Sequence, residues 1–226
     1  MEAECKEKRI EVFFVDVGNV LIDFLSSRFY EKVALLAELP ASVVEEADRK
    51  ILRRLWPDLE KGKLSFYDFF LQFKSALVWV IPDGKLREFE KKFSFTFFRD
   101  AGKDLFRLKK KTLEFIKFLK SHGYKIIIVS NNNSGYLYCQ VTLFPEVFAV
   151  ADGCFLSHEI GYRKPEKDFW LIALDSVGVA PDKVFVIDDL RENIDSAKAL
   201  GMHGAVFINI GELKKELNNF DFNFKK

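Results

Sequence analysis

The chain has 226 residues and carries 35 Lys+Arg against 34 Asp+Glu, a formal net charge of +1. That balance argues against nucleic-acid binding through a general electrostatic surface and against an acidic disordered segment. Apolar residues make up 49 %, as in a globular domain, yet no apolar run approaches the roughly 20 residues that cross a bilayer.

The start, Met1 to Arg9, is charged and lacks an apolar h-region, so a cytoplasmic protein is expected. Three widely spaced cysteines (Cys5, Cys139, Cys154) with no CxxC pair agree with a reducing compartment rather than a disulfide framework or a zinc site. Ile10-Glu11-Val12-Phe13-Phe14-Val15 then reads as a strand buried on both faces. It runs into a polar loop, Asp16-Val17-Gly18-Asn19. From about Phe24 to Asp100 the pattern is helical, with no strand expected. Phe29, Val33, Leu36 and Ala37 keep helical spacing, as do Ile51, Leu52 and Leu55. Pro40, Pro57, Gly62, Pro82 and Gly84 punctuate the stretch. The chain holds 25 phenylalanines. Phe66, Phe69, Phe70, Phe73, Phe89 and Phe93 fall here, and most are expected to form this segment's own core and its seam, with at most one or two at an entrance.

After about Asp104 the pattern alternates. A helix carrying Leu105, Leu108, Leu113, Ile116 and Leu119 is expected to stop at His122-Gly123. Lys125 to Val129 reads as a strand, followed by Ser130-Asn131. A shorter strand is expected around 147–151, and a helix over 167–177 before Gly178. Val184 to Ile187 is the next strand and ends in Asp188-Asp189. A helix over 194–200 stops at Gly201, a last strand follows over 205–208, and the tail from Asn218 is expected to fray. Strands alternating with helices predict an α/β fold: a Rossmann-like, doubly wound parallel sheet with a helical segment inserted after the first strand. The division is residues 1–23 and 101–226 for the core and 24–100 for the insertion.

Ligands of such sheets bind outside the carboxyl ends of the strands. Asp16, Ser130-Asn131 and Asp188-Asp189 all lie there. Lys164 stands in a loop, Gly161-Tyr162-Arg163-Lys164-Pro165. Each feature alone has an ordinary reading: a turn Asp, a Ser or Asp helix cap, a solvated lysine. Together they place three carboxylates in one crevice, where they repel unless protonated or neutralised. A hard divalent cation with oxygen ligands, such as Mg²⁺, is the natural remedy.

In this order, Phe14-Val15-Asp16-Val17-Gly18-Asn19-Val20-Leu21, Val129-Ser130-Asn131, Arg163-Lys164-Pro165 and Val186-Ile187-Asp188-Asp189 with Glu192-Asn193 resemble the four motifs of the haloacid dehalogenase (HAD) superfamily, which consists mostly of phosphatases. The resemblance covers about residues 10–210, and the helical insertion is similar to the family's C1-type cap. Asp-x-Gly-Asn-Val-Leu with Ser-Asn-Asn-Asn looks most like a bacterial sugar-phosphatase branch that includes an α-glucose-1-phosphate phosphatase.

The resemblance implies a role for each position. Asp16 would be the nucleophile, forming an aspartyl-phosphate that water hydrolyses. Ser130 and Asn131 would bind the phosphoryl group through the hydroxyl and a backbone N–H, with Val17 and Gly18 as further substrate-binding positions. Lys164 would neutralise charge between phosphate and nucleophile. Mg²⁺ would be held by Asp16, the Gly18 carbonyl and Asp189, with Asp188 in support. Gly18 departs from the pattern, since many family phosphatases place a second Asp there as general acid. That help is worth roughly 10²–10⁴-fold, so either another group replaces it, such as a cap residue or the substrate, or turnover is slow. Asn19 and Asp23 are nearby polar residues that also read as turn residues, and the sugar-phosphatase branch carries Gly here too. Asn193 is expected to organise its loop, Asn132 and Asn133 to be turn residues, and Arg163 to be structural or solvent-facing. Arg53, Arg54, Trp56, Tyr67 and Trp79 are available in the insertion, without a choice among them. Nothing ties His122, His158 or His203 to a metal.

The expected function is a Mg²⁺-dependent phosphatase acting on a small phosphorylated metabolite, a sugar phosphate being one candidate. Its partner is a small-molecule phosphate ester, with no nucleic acid or membrane, and its state a monomer or homodimer. The alternatives are a metal-free 2-haloacid dehalogenase, against which the paired acids Asp188-Asp189 argue, and a phosphate-binding pseudophosphatase that has lost its general acid at Gly18.

Overall fold

The computed structural model describes residues 10–220. The charged start with Cys5, residues 221–226 of the tail and the Leu52 side chain lie outside the described residues. Strand β1 (Val12–Val15) leads through the Asp16 loop to a short strand β2 (Ile22–Phe24). Five helices follow: α1 (Ser26–Ala37), α2 (Ala41–Glu60), α3 (Phe66–Val78), α4 (Asp83–Lys92) and α5 (Phe95–Ala101). Strand β3 (Phe106–Leu108) returns antiparallel to β2. The remainder is α6 (Lys110–Ser121), β4 (Lys125–Ser130), α7 (Ser134–Leu143), α8 (Pro145–Ala149), β5 (Gly153–Leu156), α9 (Ser157–Ile160), α10 (Lys167–Val177), β6 (Val184–Asp188), α11 (Arg191–Lys198), β7 (His203–Val206) and α12 (Ile210–Asn218).

The main sheet is parallel, in the order β5-β4-β1-β6-β7. The chain runs outward from β1 on one side and then on the other. The switch point therefore lies at the carboxyl end of β1, between β4 and β6. Val15 stands opposite both Ile128 and Ile187, so Asp16 and Asp188 leave their strands side by side.

Alternate strand residues feed opposite faces. Val12, Phe14 and Val186 pack with Phe169, Trp170 and Ala173 of α10 and Ile194 and Ala197 of α11. Phe13, Val15, Phe185 and Ile187 belong to the second cluster, with Leu113, Ile116 and Leu119 of α6 and Leu213 and Leu217 of α12. The helices between β2 and β3 close around rings. Phe66, Phe69, Phe70, Phe73, Phe89 and Phe93 are all buried, as expected for an internal core. Phe89 stacks on Phe93 at 4.8 Å, and Phe73 meets Phe98 at 5.3 Å.

Three expectations are corrected. Leu105 closes a 3₁₀ turn and Leu108 ends β3, so the next helix starts only at Lys110. The pairing of β3 with β2 is a contact between distant segments that local periodicity does not report. Residues 145–149 form helix α8 because Pro145 opens it at the first helical turn. The strand comes later and pairs Gly153 with Ile127. The last strand ends at Val206, and Ile208 is exposed. Among the described residues no helix is long and apolar enough to cross a membrane.

Candidate active site

The loop after β1 is pinned from below. Val17, Val20 and Leu21 are fully buried, and the N–H groups of Leu21 and Ile22 both donate to Val17 O at 2.9 Å. Asn19 takes a left-handed φ of 52°, a region that Asn tolerates better than most residues. Val17 thus offers a ligand only its backbone, while Asp16, Gly18 and Asn19 face the cleft.

The segment after β4 is built from side-chain amides. Asn133 caps α7 by accepting from Tyr136 N–H at 2.9 Å. Asn132 Nδ2 donates to Gln140 Oε1 at 2.8 Å. Asn131 accepts from Lys164 N–H at 2.8 Å and donates to Lys164 O at 2.9 Å. Asn131 thus brackets the backbone of a residue far along the chain. Its amide, beyond the backbone N–H expected from the sequence, fixes where Lys164 can stand. The buried Ser130 and the half-buried Asn131 both line the cleft.

Lys164 is 1 % exposed. Its Nζ donates to Asp16 Oδ1 at 2.7 Å, Asp188 Oδ2 at 2.6 Å and Val129 O at 2.8 Å. All three ammonium donors are used. Burial pulls against the charge, but Asp16 and Asp188 outweigh it and hold the ammonium above the ordinary lysine value. Asp188 is fully buried, and its Oδ1 accepts from Leu190 N–H and Asn193 Nδ2, each at 2.9 Å. Asn193 therefore organises the loop, as expected. Asp16 feels burial first, which raises its carboxyl; Lys164 opposes this, and Asp188 and Asp189 add to it. The net direction is upward. Asp189 Oδ2 accepts from Asn19 Nδ2 at 3.0 Å.

Asp16, Asp188 and Asp189 each bring a carboxylate oxygen within 4.8 Å of the others. Three carboxylates face one ammonium, so the cluster is short of positive charge. Both Asp188 oxygens already accept hydrogen bonds. Asp16 Oδ2 and Asp189 Oδ1 are the oxygens left for a cation. This all-oxygen set fits a hard divalent ion such as Mg²⁺. No histidine joins the group among the described residues.

The cleft above it measures about 350 Å³. Its lining also includes Trp56 and Glu60 of α2, Phe24, Phe106 and Tyr136. Of the five insertion residues considered from the sequence, only Trp56 reaches it. Arg53, Arg54, Tyr67 and Trp79 are exposed and do not line it. Arg163 was expected to be structural or solvent-facing, yet it stands in the cleft wall. Its Nε lies 2.8 Å from Glu60 Oε2, with no N–H aligned on that oxygen. Trp56 Nε1 donates to Glu60 Oε1 at 2.8 Å. Burial raises the Glu60 carboxyl, and Arg163 and Trp56 only partly offset it. Beyond α2, Gly62 has a φ of 67°, and a Cβ there would fall 2.2 Å from His158 O. Only glycine permits that approach. Lys61 pairs with Glu166 at the same junction. Nothing in the charged run Asp58-Leu59-Glu60-Lys61 marks Glu60; the chain's return from α2 to the loop of Lys164 does.

A family model described as haloacid dehalogenase-like hydrolase matches residues 10–201. Flavin mononucleotide hydrolase 1 of Arabidopsis thaliana is 22 % identical over 218 residues, covering 96 % of this chain and 80 % of that protein. Drimenol cyclase drtB of Aspergillus calidoustus is 32 % identical over 68 residues, 30 % of this chain but only 13 % of that protein. A HAD family enzyme of Bacteroides thetaiotaomicron, solved with magnesium and inorganic phosphate, superposes with a TM-score of 0.70 at 21 % identity, over 90 % of this chain and 98 % of that one. With the parallel sheet and the motifs at its switch point, the match over residues 10–201 settles the family: the chain belongs to the haloacid dehalogenase-like hydrolases.

Proposed function

We propose that this hydrolase is a Mg²⁺-dependent phosphomonoesterase working through an aspartyl-phosphate on Asp16. The observation that carries the reading is Lys164 Nζ, held at 2.7 Å from Asp16 and 2.6 Å from Asp188 beneath an acidic cleft. A carboxylate steadied by a buried ammonium and placed at a cation site is suited to attack phosphorus. Ser130 and the backbone N–H groups of the loops after β1 and β4 bind the phosphoryl oxygens. Asp16 displaces the alcohol, and water then releases phosphate from Asp16. Asp16, the Gly18 carbonyl and Asp189, with Asp188 behind them, would hold Mg²⁺, which when bound neutralises charge on the phosphoryl group.

In this reading the helices over 24–100 act as a cap that chooses the substrate, while 1–23 and 101–226 carry the chemistry. The substrate is a small phosphorylated metabolite. The motif likeness to the sugar-phosphatase branch supports a sugar phosphate, and the Arabidopsis relative's name supports flavin mononucleotide, an alkyl phosphate that carries a flat ring system. We read the protein as a cytoplasmic monomer or homodimer. The test is hydrolysis of p-nitrophenyl phosphate and a metabolite panel with Mg²⁺. EDTA is expected to abolish turnover, and Asp16→Asn to lower it on the order of 10⁵-fold or more, as losing a nucleophile does elsewhere. Silence across a broad panel, or chloride release from a 2-chloro acid without metal, sinks the reading.

A further inference from the structure

An ordinary alcohol leaves phosphorus as a poor, strongly basic alkoxide unless a proton reaches it as the bond breaks. The attacking and leaving oxygens lie roughly in line across phosphorus. With Asp16 attacking from the sheet, the leaving oxygen therefore points away from the sheet, toward the wall contributed by the insertion. Position 18 cannot supply the proton, being glycine; an added Cβ would lie 3.7 Å from Asp16 Oδ2, in open contact distance with no donor. The carboxyls lining the cleft are Asp16, Asp189 and Glu60. The first two belong to the acidic cluster at the sheet. Glu60 is brought to the cleft by α2 of the insertion.

We infer that Glu60, in the last turn of α2, is the proton donor to the leaving oxygen. This rests on the phosphomonoesterase reading of the same site. Glu60 is 5 % exposed, and its two oxygens are differently placed. Oε1 is anchored by Trp56 Nε1–H at 2.8 Å. Oε2 is buried, with no aligned donor, although Arg163 Nε is 2.8 Å away. A carboxyl proton has a place on Oε1, which accepts only the Trp56 N–H, and the Arg163 charge is beside Oε2 once that proton leaves. The charged and titratable groups facing Glu60 are Arg163 and Lys164 from the loop before α10 and Tyr136 from α7. Burial favours the protonated form ahead of these influences.

The step balances. The bond from Asp16 to phosphorus forms as the ester P–O bond breaks, and the Glu60 proton passes to the departing oxygen, giving a neutral alcohol. The Glu60 carboxylate then takes a proton from the water that attacks the aspartyl-phosphate. Phosphate leaves, Asp16 is regenerated, and Glu60 is again protonated.

The experiment is single-turnover release of the alcohol from a series of monophosphates with Mg²⁺: ethyl, phenyl, 4-nitrophenyl and 2,4-dinitrophenyl phosphate. Glu60→Gln keeps the shape and the acceptor for Trp56. It is expected to lose roughly 10²–10⁴-fold on ethyl phosphate, with the loss shrinking steadily as the leaving group becomes more acidic. Glu60→Asp is expected to recover part of the ethyl phosphate rate. It carries the same comparison if the Gln variant does not fold. An equal loss across the series, or no loss, overturns the assignment of Glu60 while leaving the phosphatase reading intact. Silence of the unmodified protein toward all four esters overturns both.

Discussion

The two regions of this molecule bury different things. Beneath the carboxyl ends of β4, β1 and β6 lies charge: Lys164, Asp188 and Asp16 are 1 %, 0 % and 7 % exposed. Between α1 and α5 lie rings, Phe29, Phe73, Phe93 and Phe98 among them. An ion survives burial only if every donor meets an acceptor at a set distance. That demands backbone held in register, which parallel strands and the Asn131 bracket supply. The apolar burial of rings is non-directional, and their preference for offset or edge-on contact is broad beside the demands of a buried ion. Precision therefore sits in the sheet rather than in the insertion. Two carboxyls break the pattern: Glu60 at the cleft, and Asp48, which is buried among the insertion's rings and accepts from Tyr30 O–H at 2.7 Å.

The contrast breaks first at Lys164. Lys164→Met leaves two buried carboxylates unpaired. Activity is expected to vanish and stability to fall by about 3–5 kcal/mol, read by urea denaturation. A variant as stable as the parent would mean that the charges are not held as described. Next comes Phe73→Ala in the fully buried ring cluster. It is expected to cost about 3–5 kcal/mol while the folded fraction keeps its rate on p-nitrophenyl phosphate. Loss of rate in folded protein would mean that the insertion shares the precision of the sheet.

The smallest effect has the opposite sign. Burial pushes the Asp48 carboxyl up from 3.8 to about 6, with the Tyr30 hydrogen bond opposing. Between these values the folded state binds more protons than the unfolded one. Stability is therefore greatest below the lower value and is lost as pH rises through the upper. Asp48→Asn retains an acceptor for Tyr30 and removes that loss. It is expected to stabilise the protein at pH 8 by up to about 3 kcal/mol, and by less at pH 5. Denaturant midpoints at the two pH values check this, and an equal gain at both would show that Asp48 does not titrate in the fold.

Much of the site was legible from local signals. A continuous apolar run followed by acid or Ser-Asn marks the end of a buried strand, and strand ends converge by topology. Asp16, Ser130, Asn131, Asp188 and Asp189 were visible for that reason, whereas Lys164 and Asn193 were visible only through the resemblance to the four family motifs. Glu60 and Arg163 were not visible, since a Glu at a helix end and an Arg before Lys164 look like solvated surface. The pairing of β2 with β3 was missed because it joins segments separated by five helices. The strand at 147–151 was misread because Val147 and Val150, both buried, fit either element by burial.

What the sequence alone determined is the order of buried strands and the chemistry at their ends, because burial period and strand-end polarity are written within a few neighbouring residues. The tertiary structure decided which side chains face that chemistry from the other side. It set Lys164 between two carboxylates through the amide of Asn131. It also brought Glu60 to the cleft through the close approach at Gly62. Both depend on contacts between segments far apart in the chain, which no local pattern records.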